Sequence, residues 1–213
     1  MKRFFVPIMI FLFSSASPAF GSDANKPHPH QGVGLKFTSP QPITLTETEK
    51  ADLAAGKSVR KQVKHSTGGR GIAVMDVNAS TDKVWAVIND FPSYPNWIKE
   101  LDTIDVYEKS GTHTKVHFVL NVLFMDVEYW IDHTQRPSSN ALTWELDYGK
   151  HSDLDDSTGY WMVYPSPADP AKSRVEYTVD IRLSGWVPGV VQEMLANKGL
   201  EQATTWVKKQ AEQ

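Results

Sequence analysis

The chain of 213 residues contains no cysteine. That excludes disulfides, thiolate metal sites, a thiol nucleophile and a lipid-modified N-terminal cysteine, so stability must come from a full-sized apolar core. An excess of positive charge is missing too. The formal net charge is −3, whereas a nucleic-acid surface needs clustered Lys and Arg to displace counterions from phosphates. No nucleic-acid partner is expected. The most basic stretch, KSVRKQVKH (57–65), reads as a solvated helix or a strand edge. Long apolar runs are scarce: Phe4–Phe13 is roughly half the ~20 residues that a membrane-spanning helix requires. Motifs of covalent and phosphate chemistry are absent as well. There is no Gly-x-Ser-x-Gly. AAGKS (54–58) has the tail of a phosphate loop, but Ala51 stands where its first glycine belongs. GGRG (68–71) precedes a strand instead of following one, which removes a dinucleotide fingerprint.

What is present starts with a leader. Lys2 and Arg3 precede the apolar run, and Ala19 and Gly21 occupy the −3 and −1 positions of a cleavage site, the layout of a secretory signal peptide. We expect residues 1–21 to be removed; Lys2 and Arg3 leave with no acid, which takes the charge from −3 to −5. The expected location is periplasmic or secreted.

Residues 22–44 are rich in Pro, Gly and polar residues and show no period, so they read as a flexible linker or mobile arm. Residues 45–67 read as an N-terminal helical extension: Thr46 can cap, and Glu49 follows three residues on. The remainder, 68–213, reads as one domain. Its first strand is IAVMDVNA (72–79). In STDKVWAVINDF (80–91), Val84, Trp85, Val87, Ile88 and Phe91 share one side at a period of 3.6. The helix gives way to FPSYPNW, where Pro92 and Pro95 bias the preceding residues away from helical geometry. Period-two strands follow, with one apolar face each. TGYWMVYP (158–165) is apolar on both faces, so its orientation is open. A final helix opens at Pro188 with a stripe through Val191, Met194, Leu195, Ala203, Trp206 and Val207. Only the inner face of the sheet can bury that stripe, which gives an α+β layer arrangement.

The succession of a strand, (S/T)xxxVWxVIxDFxxYPxW, an antiparallel meander, GYW on a late strand and VPGVV opening the last helix resembles the START-like (SRPBCC) helix-grip superfamily. Within it, the resemblance is to the branch of polyketide cyclase/dehydrase-like and coenzyme Q-binding proteins. It spans about residues 68–212. It implies a curved antiparallel sheet wrapped around a long C-terminal helix, enclosing an apolar cavity, with the aromatic loop as one wall of the mouth. The wall would then draw on Tyr94 and Trp97 from the loop. Phe118, Leu120, Val122, Tyr129 and Ile131 would come from the first strands of the meander. Trp144, Leu146, Trp161, Tyr177 and Val179 would come from the later strands, and Val191, Met194 and Leu195 from the helix.

Weighed as chemistry, the residues offer little. His113 and His117 are four apart, too far along a strand to share a metal. His28 and His30 lie in the arm and could bind a metal weakly, but read as solvated; DLDDSTG (153–159) reads as a solvated acidic turn, since Tyr164 stands where a calcium loop needs its bidentate glutamate. By alternation Tyr129, His133, Tyr148 and Tyr177 point inward; His133, near a strand end, reads as a rim residue. No cofactor, metal or catalytic residue is expected. The preferred reading is an exported, monomeric binding protein for a lipid, isoprenoid or quinone-like molecule, with transient contact to membrane or envelope protein. The alternatives are an aromatase/cyclase-type enzyme and an envelope protein-interaction module.

Overall fold

Alternation of apolar and polar residues builds the sheet, because successive strand side chains point to opposite faces. A computed structural model of the protein describes residues 21–65, 68–122, 125–183 and 200–213. The expected leader, the opening of the last helix, and with it Val191, Met194 and Leu195, lie outside them. The strands are β1 (Val59–His65), β2 (Gly68–Val77), β3 (Leu101–Ser110), β4 (His113–Val122), β5 (Met125–Arg136), β6 (Ala141–Leu146), β7 (Leu154–Pro165) and β8 (Ser173–Leu183). They form one antiparallel sheet in the order β1-β2-β8-β7-β6-β5-β4-β3. The sheet is curved, and its concave face receives the C-terminal helix α3 (Leu200–Ala211). Among the described residues no helix is long and apolar enough to cross a membrane.

Local signals fix the helices. In α1 (Glu47–Ala54) the Thr46 hydroxyl accepts from Glu49 N–H while the Glu49 carboxylate accepts from Thr46 N–H, the reciprocal cap expected from the sequence. In α2 (Thr81–Asn89) the Ser80 hydroxyl caps Lys83 N–H, and Val84 and Ile88 are fully buried. The basic stretch at 57–65 is an edge strand, β1. Its Arg60, Lys61 and Lys64 suit that place, because charge on an edge discourages further pairing.

The convex face departs from expectation. Residues 22–44, read as a free arm, lie against it. Phe37 packs edge-on to Tyr160 at 5.1 Å, closing a small cluster with Ala141 and Met162. Ile43 and Leu45 join Leu53, Val59 and Val74 in another. This covering explains why 158–165 is apolar on both sides: Trp161 and Val163 join the concave core, and Tyr160 and Met162 sit under the N-terminal segment.

At its start the segment bonds main chain to main chain, Asp23 with His151 and His28 N–H with the Tyr148 carbonyl; further on, buried carboxylates take over. Val33 and Gly34 donate their N–H groups to Asp156 Oδ2 at 2.7 and 2.6 Å. Ile43 N–H reaches both oxygens of Glu176 at 3.1 and 3.0 Å. Asp156 and Glu176 are fully buried, and burial raises the Glu176 carboxyl above the usual carboxylate range. DLDDSTG is therefore not a solvated turn. From Leu154 it is strand, and Asp153 and Asp156 are buried because the N-terminal segment covers them.

Removing the Asp156 carboxylate (Asp156→Ala) strands the Val33 and Gly34 donors and the Tyr148 hydroxyl. The expected loss is about 2–4 kcal/mol of stability, with faster amide exchange concentrated at residues 32–35. Exchange that stays slow there would contradict this anchoring.

Candidate functional site

The aromatic loop after α2 is a short 3₁₀ helix, Phe91–Asn96, not an irregular loop. Prolines are tolerated because it needs few N–H donors: Ser93 N–H bonds Asp90 O at 3.1 Å and Trp97 N–H bonds Tyr94 O at 2.9 Å. Tyr94 is buried, and its hydroxyl donates to the Ile88 carbonyl in the last turn of α2, where a helix leaves carbonyls unpaired. The loop is thus tied to the helix through a ring instead of through backbone alone.

From Tyr94 a circuit of rings runs round the concave face. Tyr94 meets Trp206 of α3 at 4.5 Å between ring centres, Trp206 meets Trp161 at 6.2 Å, and Trp161 meets Tyr177 at 4.5 Å. Tyr177 then meets Trp144 at 5.6 Å, Trp144 meets His133 at 6.3 Å, His133 meets Phe91 at 4.8 Å, and Phe91 returns to Tyr94 at 5.4 Å. Trp97 stacks on Trp206 at 5.6 Å, and Phe118 stacks on Tyr129 at 5.3 Å. Offset and edge-on ring pairs at such distances add to the area they bury. Trp144 can lie where it does only because its β7 partner is Gly159: a Cβ there would stand 2.2 Å from Trp144 Cζ2.

The predicted wall residues divide between two clusters. Tyr94, Trp97, Phe118, Ile131, Trp144, Leu146, Trp161 and Tyr177 all belong to, or pack on, the main core with α2 and α3. Val122 sits with Val127, Leu154 and Leu183 in a second cluster, and Leu120 and Tyr129 touch both. Val179 is half-buried between Gly71 and Gly159 of the neighbouring strands. Tyr148 is buried with the main core, as its inward reading expects, but its hydroxyl is spent away from the concave face. The alternation ends with β6 at Leu146, and the Tyr148 hydroxyl donates to Asp156 at 2.9 Å.

Three contributors were not among the predicted wall residues: Trp206, Phe91 and His133. Trp206 was visible in the helix stripe and Phe91 in the stripe of α2. Alternation pointed His133 inward, but it is no rim residue, because β5 continues three residues past it to Arg136. It is buried between Phe91, Phe118 and Trp144. Its Nδ1–H donates to the Thr114 carbonyl at 3.3 Å, and burial pulls its pKa down to about 3. The Tyr129 and Tyr177 phenols are pushed up, by burial, and stay protonated. The concave face therefore offers neutral groups: indoles, phenols that can donate, and an uncharged imidazole. His113 and His117 point elsewhere, to Asp132 at 2.9 Å and Glu128 at 2.7 Å.

A histidine held neutral in the fold but free to protonate when unfolded makes stability depend on pH. Below the unfolded value near 6.5 the unfolded chain binds the extra proton, so this contribution is complete above about 6.5 and drains away as pH falls toward about 3. Urea unfolding of the wild type should weaken from pH 7 to pH 4.5 by on the order of 2–3 kcal/mol more than that of His133→Leu. Parallel profiles for the two proteins would mean that His133 is not held neutral.

The fold has counterparts among known proteins. The family model described as polyketide cyclase / dehydrase and lipid transport matches residues 72–212. Among solved structures, an aromatase/cyclase from Streptomyces sp. R1128 superposes with a TM-score of 0.55 at 16% identity, over 72% of this chain and 94% of that one. A START superfamily protein from Mycobacterium smegmatis gives 0.53 at 17%, over 73% and 97%. A STAR-related lipid transfer protein from Xanthomonas axonopodis gives 0.58 at 12%, over 74% and 93%. No curated protein sequence matches the chain. At these identities the structures speak for the helix-grip fold, and the sequence match carries the assignment: the chain belongs to the polyketide cyclase/dehydrase and lipid transport family.

Proposed function

We propose that the protein binds a hydrophobic small molecule, a lipid, isoprenoid or quinone-like compound, on the concave face, and carries or sequesters it in the cell envelope after export. The observation that carries this reading is the lining. Trp144, Tyr129 and Tyr177 keep partial exposure although they pack on the apolar core, while the convex face is covered by residues 22–45. Such a wall needs no charged anchor. Burying ~400 Å² of apolar ligand surface contributes roughly 10 kcal/mol before association costs, and those costs are themselves about 4–15 kcal/mol. Micromolar or tighter binding can remain. Export is supported by the leader-like N-terminus.

The aromatase/cyclase reading has one observation in its favour, a His133 that lies on the same concave face as the Tyr129 and Tyr177 phenols. Its chemistry is weak. An efficient general base has a pKa near the working pH, and His133 lies about four units below neutrality. A protein-interaction role for 22–44 is also weakened, because that segment spends its main-chain donors at 33, 34 and 43 on the sheet.

The decisive measurement is native mass spectrometry of the protein purified without detergent from its own envelope. A mature mass beginning at Ser22, with a discrete extractable lipid or quinone bound, is expected; a uniformly ligand-free mass would overturn the carrier reading. Rebinding of the extracted compound should weaken by about tenfold or more in Trp144→Ala. It should change little in His133→Leu if His133 performs no chemistry on it.

A further inference from the structure

The N-terminal segment carries His28 and His30 in HPHQG, and the fold lays both against the start of β7, where they meet Asp155. One ligating atom from each of His28, His30 and Asp155 lies within 4.8 Å of the other two. His28 is buried. Its Nε2–H donates to the Asp155 main-chain carbonyl at 2.8 Å, which leaves Nδ1 as the bare lone pair. That nitrogen is buried and has no hydrogen-bond partner. An unpaired buried acceptor is costly, and a ring that gives one N–H to a backbone carbonyl and keeps the other nitrogen bare has the arrangement typical of a metal ligand. His30 Nε2 stands 3.2 Å from Asp155 Oδ1, close to the roughly 3.3 Å between ligands of a tetrahedral ion with bonds of about 2.0–2.1 Å.

We propose that His28, His30 and Asp155 form a binding site for a divalent transition-metal ion of the zinc class, which fastens the N-terminal cover to β7. Two imidazoles and one carboxylate suit Zn²⁺, Co²⁺, Ni²⁺ or Cu²⁺, and not Ca²⁺ or Mg²⁺, which take oxygen ligands. Three protein ligands leave a position for water. His151, whose ring centre is 5.7 Å from that of His28, stands beside it. Binding has one local cost. His30 Nδ1 accepts from Gly32 N–H at 3.1 Å, and a neutral ring ligating through Nε2 carries its proton on Nδ1, so that bond must open. Gly32 has φ of +103°, a conformation in which a glycine can reorient without a side-chain clash.

The test uses the protein without an affinity tag, stripped with chelator and then titrated. Calorimetry with Zn²⁺ and visible absorption with Co²⁺ should both show saturation at one equivalent. The cobalt band should have the intensity of a four-coordinate site. Binding should weaken at least about tenfold in His30→Ala and in Asp155→Asn, and remain unchanged in His113→Ala. His30 is partly exposed, so its variant keeps the fold, and circular dichroism checks this. Zn²⁺ should also slow amide exchange at residues 28–34 in the wild type and not in His30→Ala. No saturation up to about 1 mM Zn²⁺, or equal binding by wild type, His30→Ala and Asp155→Asn, would overturn the site.

Discussion

A carboxylate taken wholly out of water survives only if donors replace the water it lost, and Asp156 has four. It accepts from the N–H groups of Val33, Gly34 and Ser157 and from the Tyr148 hydroxyl, all at 2.6–2.9 Å. Two of those donors belong to the N-terminal segment, so satisfying the charge and docking the segment are one event. Glu176 repeats the arrangement further along, with Ile43 N–H and the Tyr164 hydroxyl. The docked segment covers Tyr160 and Met162 and turns a sheet with one dry face into a sheet with two.

That double covering sets what the concave face can be. With the convex side closed by polar contacts to a neighbouring segment, the inner side is left to rings. The circuit from Tyr94 through Trp206, Trp161, Tyr177, Trp144, His133 and Phe91 joins the loop, the last helix and four strands. Its members are uncharged at neutral pH, as the depressed His133 and raised phenols require. A surface of this kind favours ligands by area and shape, with a hydroxyl to orient a polar head.

Much of this was legible in the sequence where the signal is local. The Thr46 cap, the stripe of α2 and the alternation of β4 each depend on neighbours within a few positions, and each is found in the structure; in β8 the polar partners Glu176, Thr178 and Asp180 are buried as well. The N-terminal segment was not legible. Its contacts join residues more than 100 positions apart, and half of each contact is a main-chain N–H, which every residue but proline carries. The acids of 153–156 then looked like a wet turn because nothing local announces their cover. The inward set followed from parity, but the ring circuit did not: Trp206 and Tyr94 meet only because α3 and the loop after α2 are brought together by the sheet. Where His133 was misplaced, the error lay in the strand's end and not in its period.

The family match begins at residue 72, inside β2, and the cover lies entirely before it. A chain trimmed to that boundary would keep the helix-grip core but lose β1, Phe37 and Ile43 together. The four residues of β2 before that boundary pair with Arg182, Ile181, Asp180 and Val179 of β8, so β8 would lose part of its ladder as well. Tyr160, Met162 and Val74 would be uncovered beside a newly bared strand edge. Apolar surface next to unpaired backbone is the combination from which edge-to-edge aggregates grow. The N-terminal segment thus covers an edge and an apolar patch that the family-matching unit by itself would leave bare.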